Sequence, residues 1–158
     1  MDGDHSIERC REVTELTLHY VFRELFQQRV LLEGMLLKPN MVVPGTEAAE
    51  QASVEQVAEM TVKTLRRSVP AAVPGIVFLS GGQSEEEATA NLNAMNALGP
   101  HPWELSFSYG RALQQSALQA WAGKPENIGA AQQAYRHRAH MNHLARTGSY
   151  SIDLERAV

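Results

Sequence analysis

The sequence predicts an α/β fold with a small parallel sheet. Short apolar segments at 30–37, 75–79 and 103–109 alternate with longer segments that have the three- and four-residue apolar spacing of helices. Strands that alternate with helices usually pair in parallel through right-handed crossovers. The expected order is therefore helix, strand, helix, strand, helix, strand and two further helices.

The first helix is predicted over residues 7–29, with Ser6 as its N-cap and Glu8 in its first turn. Residues 30–37 are almost continuously apolar, which favours a strand covered on both faces. The apolar stripe of the first helix is expected at Ile7, Cys10, Val13, Thr17, Tyr20 and Val21.

Two capping boxes predict where the next helices begin. Ser53 with Gln56 precedes one apolar-periodic segment, and Ser84 with Glu87 precedes another. Pro70 is expected to end the earlier of the two helices, because a proline removes a backbone donor. The buried face of the later helix is expected at Ala88, Leu92 and Met95.

A helix through about Trp121 and a last helix over 127–145 complete the predicted domain, which spans residues 1–146. Residues 147–158 are predicted to form a polar, flexible tail. Histidines and arginines crowd the last helix and favour a solvated basic face over a metal site. The basic residues are His137, His140, His143, Arg136, Arg138 and Arg146, and the expected buried side is Tyr135, Ala139 and Leu144.

Composition narrows the possible functions and locations. The chain has 158 residues with a net charge of −4, which argues against a dedicated nucleic-acid binder. Its single cysteine, Cys10, cannot form an internal disulfide and suits a reducing compartment. No apolar run approaches the roughly 20 residues of a membrane helix, and the N-terminus lacks a signal-peptide core. We therefore expect a cytoplasmic protein without nucleic-acid or membrane partners.

Three strands are few for a parallel sheet that must be covered on both faces. A closed eight-stranded (β/α)8 barrel needs about 250 residues, so this chain could supply about three of its eight units. The sequence leaves two possibilities open: a small open α/β domain, or part of a larger barrel.

Lys38 ends the first predicted strand. Strand alternation places Leu36, Lys38 and Asn40 on one face, with Leu37 on the other. A lysine at the carboxyl end of an apolar strand can enter a site where desolvation favours the neutral amine, which is the form that attacks carbonyls. The alternative is a lysine whose ammonium group extends to water.

Glycine turns follow the second and third predicted strands. Ser80, Gly81 and Gly82 open the helix that follows, where backbone N–H groups and the helix N-terminus can bind phosphate. Gly110 and Arg111 occupy the same place after the third strand, and arginine can bind phosphate oxygens in a bidentate manner. The alternatives are an ordinary strand–helix turn and a surface arginine paired with a carboxylate. In eight-stranded α/β barrels, the loops after the last two strands often form a phosphate site.

Several segments together resemble the class I (Schiff-base) fructose-bisphosphate aldolases. Residues 32–41 (LEGMLLKPNM) resemble the segment that carries the family's imine-forming lysine. Residues 77–84 (VFLSGGQS) and 106–114 (SFSYGRALQ) resemble its last two barrel strands with their phosphate-binding turns, and the match continues through 120–124. The resemblance covers about residues 2–146 and is closest to the plant and algal kind.

This resemblance implies part of a (β/α)8 TIM barrel, namely about its last three strand–helix units and a C-terminal helix. It implies reversible cleavage of fructose 1,6-bisphosphate to dihydroxyacetone phosphate and glyceraldehyde 3-phosphate through an imine on Lys38. No metal or cofactor is implied, because the imine itself serves as the electron sink. The family further implies a homotetramer in the cytoplasm, or in a plastid if an N-terminal part is missing. The residues implied to hold the phosphate of the dihydroxyacetone half are Ser80, Gly81, Gly82, Gly110 and Arg111.

The sequence departs from the family in two ways. The family's first five barrel strands, which carry its acid–base residues and its second phosphate site, have no counterpart here. The family also ends on a tyrosine, whereas Tyr150 matches an earlier position. We therefore expect the chain alone to be inactive. The alternative function is a catalytically silent phosphate-binding or assembly fragment of an aldolase.

Overall fold

A computed structural model of the chain describes residues 2–156 and has the predicted α/β architecture. Its helices are α1 (Ile7–Gln27), α2 (Val54–Ser68), α3 (Glu85–Ala97), α4 (Arg111–Trp121) and α5 (Ile128–Arg146). Its strands are β1 (Leu36–Leu37), β2 (Gly75–Phe78) and β3 (Glu104–Phe107). Short 3-10 helices lie at Leu32–Gly34, Pro125–Asn127 and Ile152–Arg156.

Within the described residues the strands form one parallel sheet in the order β1-β2-β3. The central strand, β2, pairs with a neighbour on each side: Leu37 lies opposite Ile76, and Ile76 lies opposite Leu105. Each crossover contains a helix, as parallel pairing requires. The carboxyl ends of all three strands therefore meet at one edge of the sheet.

The first strand is much shorter than the sequence indicates. Residues 30–37 are predicted as a strand, but only Leu36–Leu37 pairs, and Leu32–Gly34 forms a 3-10 helix. The expected cover on both faces is also wrong, because Leu36 is 60% exposed. The predicted alternation is confirmed: Leu37 is buried, whereas Leu36 and Lys38 are exposed. A continuous apolar run therefore predicts the strand's place but not its length.

The buried side of α1 differs from the predicted stripe. Thr14, Leu18 and Phe22 are buried, whereas Val13 and Tyr20 are exposed. These three buried residues recur at intervals of four and form the side of α1 that packs toward the core. Ile7 and Leu25 are partly buried against the same core, whereas Val13, Leu16, Tyr20, Val21 and Phe26 are exposed.

The middle of the chain matches its predictions closely. Both capping boxes form, at Ser53 with Gln56 and at Ser84 with Glu87. Trp103 is buried and donates its indole N–H to the Pro70 carbonyl at 3.0 Å. The core lies between the sheet and helices α2, α3 and α5, and its main members are Ile76, Phe78, Leu105, Leu65, Leu92, Met95 and Met141.

Helix α5 buries a different face from the one predicted. Its buried residues are Arg138, Met141 and Ala145, whereas Tyr135 and Ala139 are exposed. Of the predicted buried side, Leu144 is partly buried and packs against the core. The expectation that Arg138 lies on a solvated basic face is therefore wrong, because this side chain is only 3% exposed. Its burial depends on carboxylates that lie far away in the sequence, so local spacing could not reveal it.

The segment after α5 lies against α3 and α5. Tyr150 is buried, and its backbone N–H donates to the Asn93 side-chain oxygen at 2.9 Å. The side chain of Glu155, in the 3-10 helix Ile152–Arg156, is 7% exposed. The flexibility predicted for 147–158 stays a prediction, and positions 157 and 158 lie outside the described residues.

Of the helices described between residues 2 and 156, none combines the length and apolar character that a membrane crossing requires.

Candidate functional site

A cleft of about 480 Å³ opens at the carboxyl ends of the three strands. The residues that line it come from the segments that directly follow β1, β2 and β3, together with Asp2 near the N-terminus. Every residue singled out from the sequence lies here, namely Lys38, Ser80, Gly81, Gly82, Gly110 and Arg111. The parallel sheet thus brings together residues up to 73 positions apart in the chain.

Lys38 lies at the open side of this cleft. It follows β1 directly, and the neighbouring Pro39 carbonyl accepts a hydrogen bond from the Leu79 N–H at 3.2 Å, which holds the strand end next to β2. The side chain of Lys38 is exposed. The desolvated position that the sequence predicts for this lysine is therefore not provided by residues 2–156.

The turn after β2 has a backbone that favours glycine. Gly81 and Gly82 have φ values of 56° and 86°, which L side chains rarely adopt. The Ser80 carbonyl accepts hydrogen bonds from both the backbone and the side chain of Gln83, at 3.1 and 3.0 Å. These bonds fix the turn at the edge of the cleft. The first turn of α3 is satisfied by its own capping box at Ser84.

The turn after β3 differs because its helix has no such cap. Gly110 is the N-cap of α4 and provides no side-chain hydrogen bond. A Cβ at Gly110 would meet no atom of the described chain within 4 Å, so this side of the turn is open. The first N–H groups of α4 therefore remain available to an anion, which the helix N-terminus also favours.

Arg111 begins α4, and its side chain is exposed at the cleft. Across the described part of the chain, none of its ion pairs involves Arg111. The alternative of a surface arginine paired with a carboxylate therefore finds no support here. A free guanidinium beside an uncapped helix N-terminus is suited to bind a phosphate group.

Tyr109 lies between the cleft and the interior. Its ring packs edge-on against Phe107, with 4.2 Å between ring centroids. Burial raises the pKa of its hydroxyl to about 12, although Asn142, Arg138 and Thr89 nearby act in the opposite direction. This hydroxyl is buried without a hydrogen bond of good geometry inside the described region. Tyr109 therefore lies between the turn after β3 and a buried polar cluster.

That cluster centres on Arg138, whose importance the sequence analysis missed. Its guanidinium donates to the two carboxylate oxygens of Glu155, each at 2.8 Å, and to the Thr89 hydroxyl at 3.1 Å. Its Nε lies 3.6 Å from the Glu85 carboxylate. The spacing contained a local signal, because Arg138, Met141 and Ala145 share one helix face. An arginine in such a pattern normally indicates a face exposed to solvent, so the spacing alone does not predict burial.

Glu155 has further partners. The Tyr150 hydroxyl donates to its carboxylate at 2.8 Å, and His137 Nε2 lies 2.8 Å from the other oxygen. Burial by itself would raise the pKa of Glu155, but the hydrogen bonds from Arg138, His137 and Tyr150 outweigh it and hold this pKa below its ordinary value of 4.5. The carboxylate is therefore ionised at neutral pH and paired with the guanidinium.

Comparison with known proteins gives a specific result. The model of the family described as "Glycolytic: Fructose-bisphosphate aldolase class-I" matches residues 1–158. A fructose-bisphosphate aldolase of Plasmodium falciparum is 58% identical over 149 residues, which cover 94% of this chain and 41% of the relative. The cytosolic fructose-bisphosphate aldolase 4 of Arabidopsis thaliana is 55% identical over 156 residues, which cover 98% of this chain and 40% of the relative.

A solved structure agrees with these sequence matches. It contains the Plasmodium falciparum fructose-bisphosphate aldolase in a ternary complex with TRAP and a small-molecule inhibitor. Its TM-score is 0.93 at 57% identity, over 95% of this chain and 43% of the solved chain. The fold is therefore part of the aldolase TIM barrel, and the chain spans about two fifths of the length of the relatives it matches.

Proposed function

Because this chain belongs to the class I fructose-bisphosphate aldolase family, a family of lyases, we propose that it supplies the imine-forming lysine and one phosphate site of a fructose-bisphosphate aldolase. One observation carries this proposal: Lys38, the Ser80–Gly82 turn and Arg111 line the same cleft. Each residue alone has an ordinary structural explanation. Their meeting at one cleft supports a common substrate.

In the proposed reaction, the neutral amine of Lys38 adds to the ketone carbon of fructose 1,6-bisphosphate and water leaves, which forms an imine. The bond between the α carbon and the β carbon of the protonated imine then breaks, and the imine accepts the electron pair of that bond. Glyceraldehyde 3-phosphate departs, and the remaining enamine is protonated. Hydrolysis then releases dihydroxyacetone phosphate and regenerates the amine.

The phosphate of the dihydroxyacetone half would occupy the space between the two turns. The Ser80–Gly82 turn would donate backbone N–H groups, and the α4 N-terminus would add its first N–H groups and partial positive charge. Arg111 would provide the charge-assisted bonds. Binding the phosphate in this way would hold the ketone at a fixed distance from Lys38, as proximity catalysis requires.

Activity requires proton transfer as well, and we propose that the acid–base groups and the second phosphate site lie in barrel strands that this chain does not contain. The open cleft and exposed Lys38 support this division. The second candidate is therefore a silent phosphate-binding fragment, which would retain the imine without turnover.

For the complete enzyme we propose a cytoplasmic homotetramer, with a plastid as the alternative location. The cytosolic Arabidopsis relative favours the cytoplasm.

Reductive trapping tests the proposed nucleophile. The chain would be joined to the barrel strands of the Plasmodium falciparum relative that it does not cover, incubated with dihydroxyacetone phosphate and reduced with borohydride. We expect peptide mass spectrometry to find the adduct on Lys38, and we expect Lys38→Arg to abolish it, because a guanidinium stays protonated. An adduct on Lys63 or Lys124 instead, or none in the complete barrel, would contradict the proposal.

A further inference from the structure

The buried cluster around Arg138 lies beneath the two turns of the cleft. Arg138 contacts α3 at Thr89, one helical turn after the start of that helix, and approaches Glu85 at the start itself. Glu85 in turn accepts a hydrogen bond from Ser116 of α4. A single buried guanidinium is thus connected to both helices that begin at the cleft.

A second connection reaches the turn that contains Arg111. The Thr89 hydroxyl lies 2.9 Å from the Asn142 side-chain oxygen, and the buried Tyr109 hydroxyl lies beside these two residues. Tyr109 immediately precedes Gly110, the N-cap of α4. The polar cluster of Arg138, Thr89 and Asn142 therefore lies next to the turn after β3 as well as at the start of α3.

The position of Arg138 depends on the C-terminal segment. Glu155 pairs with both terminal nitrogens of the guanidinium, and this carboxylate is 7% exposed. Without Glu155, the buried cation would keep only its longer approach to Glu85 and its bond to Thr89. A buried charge that loses its partner is strongly destabilised, and surrounding groups shift to compensate.

We propose that Arg138, held by Glu155, is a positioning residue for the phosphate site. It fixes the N-termini of α3 and α4 relative to each other, so that the Ser80–Gly82 turn and Arg111 can bind the same phosphate. The segment Ile152–Arg156 then acts as a strap whose carboxylate determines how well the site is formed. This inference rests on the proposed phosphate site and assigns to it residues that do not touch the substrate.

The test uses the 158-residue chain with inorganic phosphate as the probe. Equilibrium dialysis gives the affinity, and hydrogen–deuterium exchange measured by mass spectrometry gives the protection of residues 81–83 and 110–113. Glu155→Gln removes the charge while keeping the shape of the side chain, and Tyr150→Phe removes one hydrogen bond to that carboxylate. Both are milder than replacing Arg138, which would leave Glu155 buried without its cation.

Three variants serve as controls. Arg111→Ala tests the phosphate site itself. Val62→Ala truncates a buried side chain of α2 and measures the effect of general destabilisation. Arg146→Gln removes another arginine of α5, the helix that contains Arg138, and the pair of Arg146 with Glu104 is exposed.

We expect Glu155→Gln to weaken phosphate binding by about fivefold, as for a modest coupling between sites, with a smaller loss in Tyr150→Phe. Faster exchange should be confined to the two turns and the C-terminal segment, while Val62→Ala and Arg146→Gln keep wild-type affinity.

Wild-type affinity in Glu155→Gln, with weaker binding in Arg111→Ala, would overturn the role of Arg138 and leave the phosphate site standing. Equal weakening in Glu155→Gln and Val62→Ala would show general destabilisation and also overturn it. Equal affinity in the wild type and Arg111→Ala would overturn both proposals.

Discussion

The centre of the sheet and its first edge show opposite environments. Ile76 and Phe78 of β2 are fully buried, because neighbouring strands pair on both sides and helices pack over them. At the first edge, Leu36 of β1 is largely exposed, and Phe26 near the end of α1 is 84% exposed. One region is covered by strands on both sides and by helices, and the other has apolar residues that no described part of the chain covers.

The candidate site is divided in the same way. The turns that would bind phosphate follow β2 and β3, where the buried cluster around Arg138 supports them. Lys38 follows β1 at the uncovered edge and is exposed. The proposed phosphate site therefore lies in the well-packed region, whereas the proposed nucleophile lies in a region where the described residues do not exclude water.

The largest effect is expected at the centre of the core. Phe78→Ala should lower the free energy of unfolding by about 4 kcal/mol, through lost burial and the cavity it leaves. Leu36→Ala, at the exposed edge, should change it by less than about 0.5 kcal/mol. Urea denaturation of both variants measures the difference. Similar losses would mean that the edge is covered in solution, for example by a second copy of the chain.

A somewhat smaller effect is expected from the Glu155 carboxylate. Since its pKa in the folded chain lies below the ordinary 4.5, its ionisation stabilises the fold above that pH, and the contribution is lost as pH falls through the lowered value. Glu155→Gln should lower the free energy of unfolding by about 3 kcal/mol at neutral pH, as for breaking a buried ion pair.

The difference in the free energy of unfolding between the wild type and Glu155→Gln should become smaller on acidification below pH 4.5. Urea midpoints of both proteins across that range measure it. A difference that does not depend on pH would show that the carboxylate's charge is not what stabilises the segment.

The next effect concerns phosphate binding. Arg111→Ala should weaken binding of dihydroxyacetone phosphate by about 2 kcal/mol, as for loss of a charge-assisted hydrogen-bonded pair. Lys38→Arg keeps the positive charge at the edge, and it should change the affinity for inorganic phosphate, which has no carbonyl and cannot form the imine, much less than Arg111→Ala does. Isothermal titration calorimetry of both variants in the completed barrel separates the two regions. Unchanged affinity in Arg111→Ala would show that this arginine is only a surface residue.

The sequence predicts where the candidate site residues lie better than it predicts the packing around them. Lys38, Gly82 and Arg111 follow directly after strands, and parallel strands end at a common edge, so the short segments are enough to place these residues together. Capping boxes such as Ser53 with Gln56 are equally local, because donor and acceptor lie three residues apart.

What the sequence could not predict depends on distant partners. The spacing of Val13 and Tyr20 shows that one side of α1 is apolar, but it does not show whether the chain contains a surface to cover that side. Arg138 looks like a solvated residue until Glu155, 17 positions later, is known to reach it. The exposure of Lys38 likewise could not be predicted from its neighbours in the sequence, because it depends on whether another segment covers that side of β1, and no described segment does.

We propose that this chain contains the nucleophile and one phosphate site but not the proton-transfer groups. The most direct measurement is cleavage of fructose 1,6-bisphosphate by the purified 158-residue chain, followed through coupled detection of the triose products, with its oligomeric state determined in the same buffer. We predict no turnover above background by the chain alone, and recovery of turnover when the remaining barrel strands of the Plasmodium falciparum relative are supplied. Turnover by a monomer of the chain alone, at a rate near that of the intact relative, would contradict the claim, because residues 1–158 would then contain a general acid and base of their own.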